Sequence, residues 1–491
     1  MRFKIISLHA NVNKEEILEE YRLDEVRVSI TKNGEYIINE PLVNDELQSM
    51  YEKLMEALFL SLKPLAEVKD PLKYMEEHIY KEAEELDLKN VQQVFPQLRY
   101  YLVRDVLGYG ILDTFMKDDR IEEITCERYD RNIGVVHRDY TQFNILDSNV
   151  TFSTMDAMNS YVQRLMQRSG KSITAATPIA DAVTKEGDRI MVTYGKEVSL
   201  PGPTLDIRKF PRQPFVITHL LKFNTLNPLM AAYIWLLLDA KGFGLIVGET
   251  GSGKTTMINS LMSLTNPKWK IITIEETPEL KIPHYRWARL VTRSSANIVD
   301  TKFDIGIMEL VKGTLRMRPD FLIVGEVRGT ESYTLFQSAA TGHGGLTSFH
   351  ATDPLAALNR LSAEPINIKP SQQMLLWFII HLKKVRLKGG RVVRRVMSIV
   401  EIIPKDDKVV MQEIFKYDVE NDRFNIDNIK ELITKSNRIK QAAELLGVKL
   451  EEDLEKRLSL INICIEKNAD SIDDVFNLVQ RYYDYAPSNG M

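Results

Sequence analysis

The sequence has few cysteines and no apolar run long enough to span a membrane. Its 491 residues include two cysteines, Cys126 and Cys464, which lie far apart and without metal-binding spacing. This usage excludes a disulfide framework and is typical of a protein in a reducing cytosol. The apolar run at residues 374–380 has about a third of the ~20 residues that a membrane-spanning helix needs. We therefore expect any membrane contact to be peripheral.

The sequence also lacks an excess of positive charge. Its formal net charge is −4 at pH 7, and 27% of the residues are charged while 44% are hydrophobic. The proportions are ordinary for a globular protein, but the acidic balance disfavours a general nucleic-acid binder, which needs a broad basic surface. A chain of this length exceeds what one hydrophobic core usually supports, so we expect two to four domains.

The most informative stretch is the glycine-rich segment GETGSGKT at residues 248–255, which directly follows a largely apolar run. Glycines let the backbone present N–H groups to phosphate oxygens, while Lys254 can reach the β- and γ-phosphates and Thr255 can offer a hydroxyl to Mg²⁺. The helix predicted after the loop adds the positive end of its dipole. The pattern predicts a site for a nucleoside triphosphate and Mg²⁺. The residues expected to contact the nucleotide are Gly248, Gly251, Ser252, Gly253, Lys254, Thr255 and Thr256.

Two further strand-like stretches end in carboxylates. Glu326 follows the apolar run of DFLIVGEVR at residues 320–328, and Glu275 and Glu276 end the run of IITIEETPEL at residues 271–280. In a P-loop core, the strand beside the glycine loop delivers a carboxylate that can hold the Mg²⁺ shell or orient the attacking water. Glu326 has the position of such a residue. Because adjacent strand residues point to opposite faces, we expect only one of Glu275 and Glu276 to face the phosphates.

A fourth stretch, TGHGGLTSFH at residues 341–350, contains His343 and His350. With no cysteine or carboxylate between them, the two histidines are poor zinc ligands. They could instead hydrogen-bond the γ-phosphate or the attacking water and so couple the nucleotide state to the backbone. A purely structural histidine is the alternative for each of them.

Basic residues cluster at 383–395, a stretch with no acidic residue. We predict a charged β-hairpin that protects a sheet edge, with contact to anionic lipid or a partner as the alternative. Arg189 and Arg208 lie earlier, on two strand-like runs. Taken alone, each is most simply a surface residue.

The order of helix-like and strand-like patterns predicts an α/β protein with several regions. A proline-bearing stretch with Pro211 and Pro214 indicates a linker. The predicted regions are a mostly helical region at 1–95, an α/β domain at 96–208, a linker at 209–225, an alternating strand and helix core at 226–404, and a hairpin followed by helices at 405–491.

Four segments, in this order, resemble the motifs of a known family. GETGSGKT, IEETPEL, LRMRPDFLIVGEVRG and TGHGGLTSFHATDP are similar to the Walker A, Asp box, Walker B and His box of the type II/IV secretion ATPases, and within them of the archaeal branch that assembles pili and archaella. The resemblance extends over roughly residues 95–485. It implies a RecA-like ATPase domain preceded by a smaller α/β domain, with helical extensions at both ends.

The resemblance also implies partners and a location. It implies a cytoplasmic homohexamer that hydrolyses ATP with Mg²⁺ and attaches peripherally to the inner face of the cell membrane through a polytopic platform protein. Through that platform it would act indirectly on pilin-like subunits, with no nucleic acid involved. An adhesive pilus, a DNA-exchange pilus and an archaellum all fit.

By position, the resemblance carries roles over to single residues. Lys254 and Thr255 would bind phosphate and Mg²⁺, and Glu326 would be the catalytic carboxylate. Either Glu275 or Glu276 would fill the Asp-box role, because Glu276 stands where the family has Asp. The remaining catalytic candidates are His343 and His350 of the His box and Arg189 and Arg208, which match arginines that reach the nucleotide from the preceding domain.

Two other functions remain as alternatives. A RecA-like hexamer can also move nucleic acid, although the sequence has no stretch that combines aromatic and basic residues for strand binding. A nucleotide-dependent scaffold without hydrolysis is the second alternative, and the full set of Walker motifs argues against it.

Overall fold

The computed structural model describes residues 3–63, 68–210, 212–293, 304–388, 390–405 and 408–485. The chain divides into two compact units, Met1–Arg212 and Gln213–Met491. Each unit contains a nine-stranded sheet. Pro211 of the predicted linker lies outside the described residues.

The first unit combines an antiparallel sheet with helices. Its elements are β1 (Ile17–Leu23), β2 (Val26–Thr31), β3 (Glu35–Asn39), α1 (Asp45–Ser61), α2 (Pro71–Glu85), α3 (Val91–Val106), α4 (Asp113–Lys117), β4 (Ile121–Cys126), β5 (Gly134–His137), β6 (Leu146–Ser148), α5 (Met155–Arg168), β7 (Ile179–Val183), β8 (Arg189–Thr193) and β9 (Leu205–Arg208). The strand order is β1-β2-β3-β6-β5-β4-β9-β8-β7. Neighbouring strands are antiparallel except for β3 and β6, which are parallel.

This sheet joins two regions that we expected to be separate. Strand β3 pairs with β6, with Glu35 opposite Asp147 and Tyr36 opposite Ser148. The helices α1, α2 and α3 pack in the same hydrophobic core as α5. The prediction of a mostly helical region at 1–95 apart from a domain at 96–208 is therefore wrong. It failed because the pairing of β3 with β6 is a long-range contact that local periodicity does not encode.

The second unit alternates strands and helices before it ends in an antiparallel part and a group of helices. Its elements are α6 (Ile217–Lys222), α7 (Pro228–Asp239), β10 (Phe243–Gly248), α8 (Lys254–Met262), β11 (Ile271–Glu275), β12 (Trp287–Val291), α9 (Ile307–Thr314), β13 (Phe321–Val327), α10 (Glu331–Ala340), β14 (Gly344–Phe349), α11 (Pro354–Ser362), α12 (Pro370–Gln373), β15 (Leu376–Arg386), β16 (Val392–Lys405), β17 (Lys408–Asp418), β18 (Arg423–Phe424), α13 (Ile429–Lys435), α14 (Arg438–Leu446), α15 (Leu450–Glu466) and α16 (Ile472–Tyr485).

The strand order of the second sheet is β12-β11-β13-β14-β10-β15-β16-β17-β18. The strands from β12 to β15 are parallel, and those from β15 to β18 are antiparallel. Every residue of β10 is buried, as expected for a parallel strand covered on both faces. This is the RecA-like α/β fold that the resemblance implied, and the predicted fold class is confirmed.

Helix α7 shows how the second unit is held together. Asn227 caps it by accepting a hydrogen bond from the Met230 N–H, and Pro228 occupies its first turn, as the sequence predicted. All its residues after Pro228 are buried, and α14 and α15 pack against it. Arg457 of α15 is buried and donates to Asp239 at the end of α7 (2.6 Å). The C-terminal helices therefore belong to the core of this unit.

Two sequence features have structural explanations. The apolar run at 374–380 supplies the start of β15, a strand buried between β10 and β16. Of the predicted linker at 209–225, the residues from Gln213 onward belong to the second unit, and α6 lies among them. None of the helices in the described ranges is long and apolar enough to cross a membrane.

Candidate nucleotide site

The glycine loop connects β10 to α8. Gly251 has a φ of +70°, a left-handed conformation that side chains disfavour. Lys254 is buried and its Nζ donates to the carbonyl oxygens of Gly248 and Glu249, both at 3.0 Å. The Ser252 hydroxyl is buried and has no hydrogen-bond partner among the described residues. A tight turn with an amine and an unsatisfied buried hydroxyl fits a loop that receives phosphate oxygens.

Strand β14 lies between the strand of the glycine loop and the strand of Glu326. The expectation that the Glu326 strand lies directly beside the loop is therefore wrong, because β10 pairs with β14 and β14 pairs with β13. The pairing of β13 with β14 shifts register between Val324 and Val327, which leaves an extra residue on β13 next to Ser348. The Ser348 hydroxyl donates to the Gly325 carbonyl (2.7 Å) and fixes this irregularity. Glu326 is the next residue.

The Glu326 carboxylate has one basic side chain near each of its oxygens. His350 Nε2 lies 2.7 Å from Glu326 Oε1, and Arg328 donates to Glu326 Oε2 at 2.7 Å. Burial lowers the pKa of His350, and the positive charge of Lys254 lowers it further. His350 is therefore neutral at pH 7, and it lies within electrostatic range of Lys254. Glu326 and His350 are in contact, and Lys254 acts on His350 electrostatically, at the carboxyl ends of three neighbouring parallel strands.

The two acidic residues after β11 have different surroundings. Glu275 is buried, and its Oε1 accepts hydrogen bonds from the backbone N–H groups of Glu279 (2.6 Å) and Leu280 (2.8 Å). Burial raises the pKa of Glu275. Glu276 is exposed and interacts electrostatically with Arg328, which also binds Glu326. Glu275 thus fixes the turn after β11, whereas Glu276 is the acid on the side of Glu326.

His343 and His350 lie at opposite ends of β14. Seven residues of extended chain separate their Cα atoms by about 20 Å. His343 is hydrogen-bonded to the Thr341 hydroxyl (2.8 Å) and interacts electrostatically with Asp320, which precedes β13. Within one chain, the structure therefore brings His350 to Glu326 but does not bring His343 there. The expectation that both histidines share this site is not met within the chain because β14 runs through the sheet between them.

Arg189 and Arg208 lie in the first unit. They are direct cross-strand partners on β8 and β9, and Glu123 of β4 follows Arg208 in the same row. Their neighbours Ile190 and Ile207 are buried, so the two arginines lie on the face of the sheet away from the core. Their role at the nucleotide stays a prediction.

The basic stretch at 383–395 forms the predicted β-hairpin, in which Lys383–Arg386 of β15 pair with Val392–Arg395 of β16. The pairing with β10 ends at Leu382 and the pairing with β17 begins at Ser398, so the basic residues extend beyond both flanking strands. Arg394 Nε donates to the Gly251 carbonyl of the glycine loop at 3.0 Å. Sequence reasoning missed this contact because residues 143 positions apart form it. The many basic residues at 383–395 could have indicated a contact with the glycine loop, but we interpreted them as protection of a sheet edge.

The residues at this site fit a magnesium nucleotide. Thr255 directly follows Lys254 and is half-buried, and Glu326 and Glu276 supply carboxylates nearby. Among the described residues, no group of three or more histidine, cysteine or acidic side chains is arranged to hold a metal ion by itself. The donor set suits a cation that arrives with the triphosphate, since Mg²⁺ usually takes one or two carboxylates together with substrate phosphates.

The fold and the glycine loop define a P-loop protein of the RecA-like class. Residues 118–382 match the T2SSE family, described as "Type II/IV secretion system protein". The chain belongs to this family. The resemblance drawn from the four motifs is thereby confirmed.

Relatives of the chain occur in Methanocaldococcus jannaschii. Uncharacterized protein MJ0900 is 35% identical over 327 residues, which cover 66% of this chain and 58% of MJ0900. Uncharacterized protein MJ1287 is 35% identical over 275 residues, which cover 55% of this chain and 98% of MJ1287. The chain thus spans little more than half of the first relative and nearly all of the second.

A solved structure with overall likeness is the ATPase DotB of Yersinia pseudotuberculosis. It is 16% identical, with a TM-score of 0.44, and the match covers 76% of this chain and 93% of that chain. At this level, the likeness says nothing about the activity of this chain.

Proposed function

We propose that this protein hydrolyses ATP with Mg²⁺ and uses the energy to drive a secretion or filament-assembly machine. The observation that carries the proposal is the contact of Glu326 with His350, on which Lys254 of the glycine loop acts electrostatically. Membership of the type II/IV secretion family supports it. Phosphoryl transfer depends mostly on positioning and charge stabilisation, and this site offers groups for both.

The chain's own residues bind and position the substrate. The backbone N–H groups of the glycine loop and the Lys254 ammonium bind the phosphates, and the Ser252 hydroxyl can donate to a phosphate oxygen. Thr255 and Glu276 would hold Mg²⁺, directly or through water. When bound, Mg²⁺ neutralises negative charge on the phosphates.

Glu326 is the residue that we assign to the attacking water. A carboxylate held within hydrogen-bond reach of the water can orient it and accept its proton. Arg328 fixes Glu326 Oε2 by donating a hydrogen bond, and neutral His350 lies 2.7 Å from Oε1, which accepts no hydrogen bond among the described residues and is available to the water. Of the two Asp-box candidates, Glu276 is the one that we assign to the site, because Glu275 Oε1 is engaged with backbone N–H groups.

We further propose the assembly that the resemblance implied. The protein forms a homohexamer in the cytoplasm and acts at the inner face of the membrane on a polytopic platform protein, through which it adds pilin-like subunits to a filament. Family membership supports this assignment. Mass measurement by light scattering with and without ATP tests the hexamer, and co-purification with a membrane platform protein tests the partner.

ATP binding and turnover of the purified protein test the proposed activity. Lys254→Ala should weaken ATP binding and abolish turnover, because the ammonium balances phosphate charge that neutral N–H groups cannot balance alone. Lys268→Ala, an exposed lysine in the turn before β11, is the matched control. Unchanged ATP affinity in Lys254→Ala would contradict the proposal. ATP binding without turnover would favour a scaffold, and turnover that rises with DNA would favour a nucleic-acid motor.

A further inference from the structure

The basic hairpin of β15 and β16 places two cations beside the glycine loop. Lys384 and Arg394 are direct cross-strand partners, so their side chains lie on the same face of the sheet. Arg394 Nε donates to Gly251 O at 3.0 Å. A Cβ on Gly251 would lie 2.9 Å from Lys384 Nζ, and a Cβ on Gly253 would lie 3.5 Å from Arg394 Cδ. Both cations therefore contact the loop that follows β10.

This arrangement concentrates positive charge beside the glycine loop. Like charges directly opposite each other on adjacent strands are destabilising, and Lys254 adds a third positive charge to the same loop. Lys384 is exposed and makes no ion pair with a carboxylate in the part of the chain that the structure describes. The next cross-strand pair, Lys383 and Arg395, lies on the other face of the sheet. Arg395 is buried and forms an ion pair with Asp422, whereas Lys383 is exposed.

We propose that the Lys384–Arg394 pair is part of the nucleotide site. Arg394 is a positioning residue that holds the glycine loop through the Gly251 carbonyl, and Lys384 adds positive charge for the triphosphate. This inference rests on the proposed function, because it requires ATP at the loop. It also assigns the basic stretch at 383–395 to nucleotide binding, in place of the contact with lipid or a partner that the sequence left open.

The chain offers a matched control for the charge. Lys384→Gln and Lys383→Gln each remove one lysine charge from neighbouring exposed positions, and only Lys384 lies against the loop. Titration with ATP should show affinity about tenfold weaker for Lys384→Gln and changed less than about twofold for Lys383→Gln. Equal affinities in the two variants would overturn the role of Lys384.

The positioning role of Arg394 has its own test. Arg394→Gln should raise KM for ATP about tenfold with kcat within about threefold, and Arg394→Lys should recover part of the loss because lysine can also donate to the Gly251 carbonyl. The midpoint of thermal unfolding without nucleotide should stay that of the wild type. A fall in kcat with unchanged KM, or no rescue by lysine, would overturn the positioning role. If Arg394→Gln does not fold, Lys384→Gln decides the proposal.

Two further measurements separate the alternatives. If the wild type binds ATP, Lys254→Ala loses this binding and Lys384→Gln keeps it, the result contradicts this inference and leaves the proposed function standing. Absence of ATP binding in the wild type would contradict both. Flotation with phosphatidylglycerol vesicles at physiological salt tests lipid, since attraction to a charged surface fades over a Debye length of about 8–10 Å. Vesicle binding lost in Lys384→Gln with unchanged ATP affinity would assign the pair to the membrane.

Discussion

His350 Nε2 lies 2.7 Å from Glu326 Oε1, across the junction of two neighbouring parallel strands. The contact depends on the register shift in β13 and on the strand order, which inserts β14 between the glycine-loop strand and β13. Burial and the charge of Lys254 both lower the pKa of His350, so its imidazole is neutral at pH 7. His350 therefore links the glycine loop with Glu326, the residue that we propose to act on water.

Glu326→Gln should retain the fold and ATP binding but lose hydrolysis. The substitution keeps the size of the side chain and removes the charge that orients or deprotonates water, a contribution of about 10²–10⁴-fold for positioned general bases. ATP titration and turnover measure the two effects separately. Glu309→Gln, at the exposed start of α9, serves as the control. Turnover close to that of the wild type would move the catalytic role to another carboxylate.

Glu275→Gln and Glu276→Gln should affect different properties, the first the stability of the protein and the second its turnover. Glu276→Gln should lower turnover and leave the urea midpoint unchanged, because Glu276 is exposed and lies on the side of Arg328 and Glu326. Glu275→Gln should lower stability by about 1 kcal/mol, because the amide oxygen can still accept the two backbone N–H groups, but the amide nitrogen would replace Oε2, which lies 3.5 Å from Arg289 Nε. A loss of turnover confined to Glu275→Gln at full stability would reverse the assignment.

Local sequence patterns predicted what is encoded locally. The Asn227 cap with Pro228 marked the start of α7, the hairpin predicted for the C-terminal region forms from β17 and β18, and the four motifs led to the RecA-like core. The separation of the two histidines also follows from local geometry once β14 is recognised as one continuous strand.

Contacts between residues far apart in the chain could not be predicted from the sequence. The join of β3 to β6 and the contact of Arg394 with Gly251 connect residues about a hundred or more positions apart. A single sequence contains propensity and periodicity, but it does not contain strand order or register between distant segments. For the same reason, the two acids at Glu275 and Glu276 could be separated only when their hydrogen bonds were known.

His284 should make the second unit sensitive to acid. Burial lowers its pKa from 6.5 to about 4, and its Nδ1 has no hydrogen-bond partner among the described residues. Because the unfolded chain takes up this proton first, stability should fall as the pH drops from about 6.5 towards about 4, by about 3 kcal/mol in total. His284→Gln removes the titration and should lose less stability over this range.

The tryptophans allow this loss to be measured in the second unit alone. All four, Trp235, Trp269, Trp287 and Trp377, lie there. Urea unfolding followed by tryptophan fluorescence at about pH 7.5 and about pH 5 gives the pH dependence of stability. His343→Gln, which replaces a half-exposed histidine, should keep the pH dependence of the wild type. The same pH dependence in His284→Gln would show that another group titrates.

Arg189 and Arg208 place two guanidinium groups in direct register on β8 and β9. Like charges opposite each other cost stability, although Glu123 beside Arg208 offsets part of this cost. Such a pair is suited to bind an anion, and we predict that the anion is the triphosphate. Arg189→Gln or Arg208→Gln should then lower turnover at least about tenfold while ATP still binds, since arginines at a transferring phosphoryl group contribute about 10³–10⁵ in rate.

The control for the two arginines is Lys196→Gln, an exposed lysine in the turn after β8. It removes the same charge from the same unit and should keep the turnover of the wild type. Because both arginines are predicted to act on one phosphate, the double variant should lose less than the product of the single losses, as residues that act as a unit do. If closure on the γ-phosphate drives the motor, ATP should compact the wild type in solution scattering and should not compact the double variant. Turnover and compaction of the double variant equal to those of Lys196→Gln would show that both arginines are surface residues without a role in catalysis.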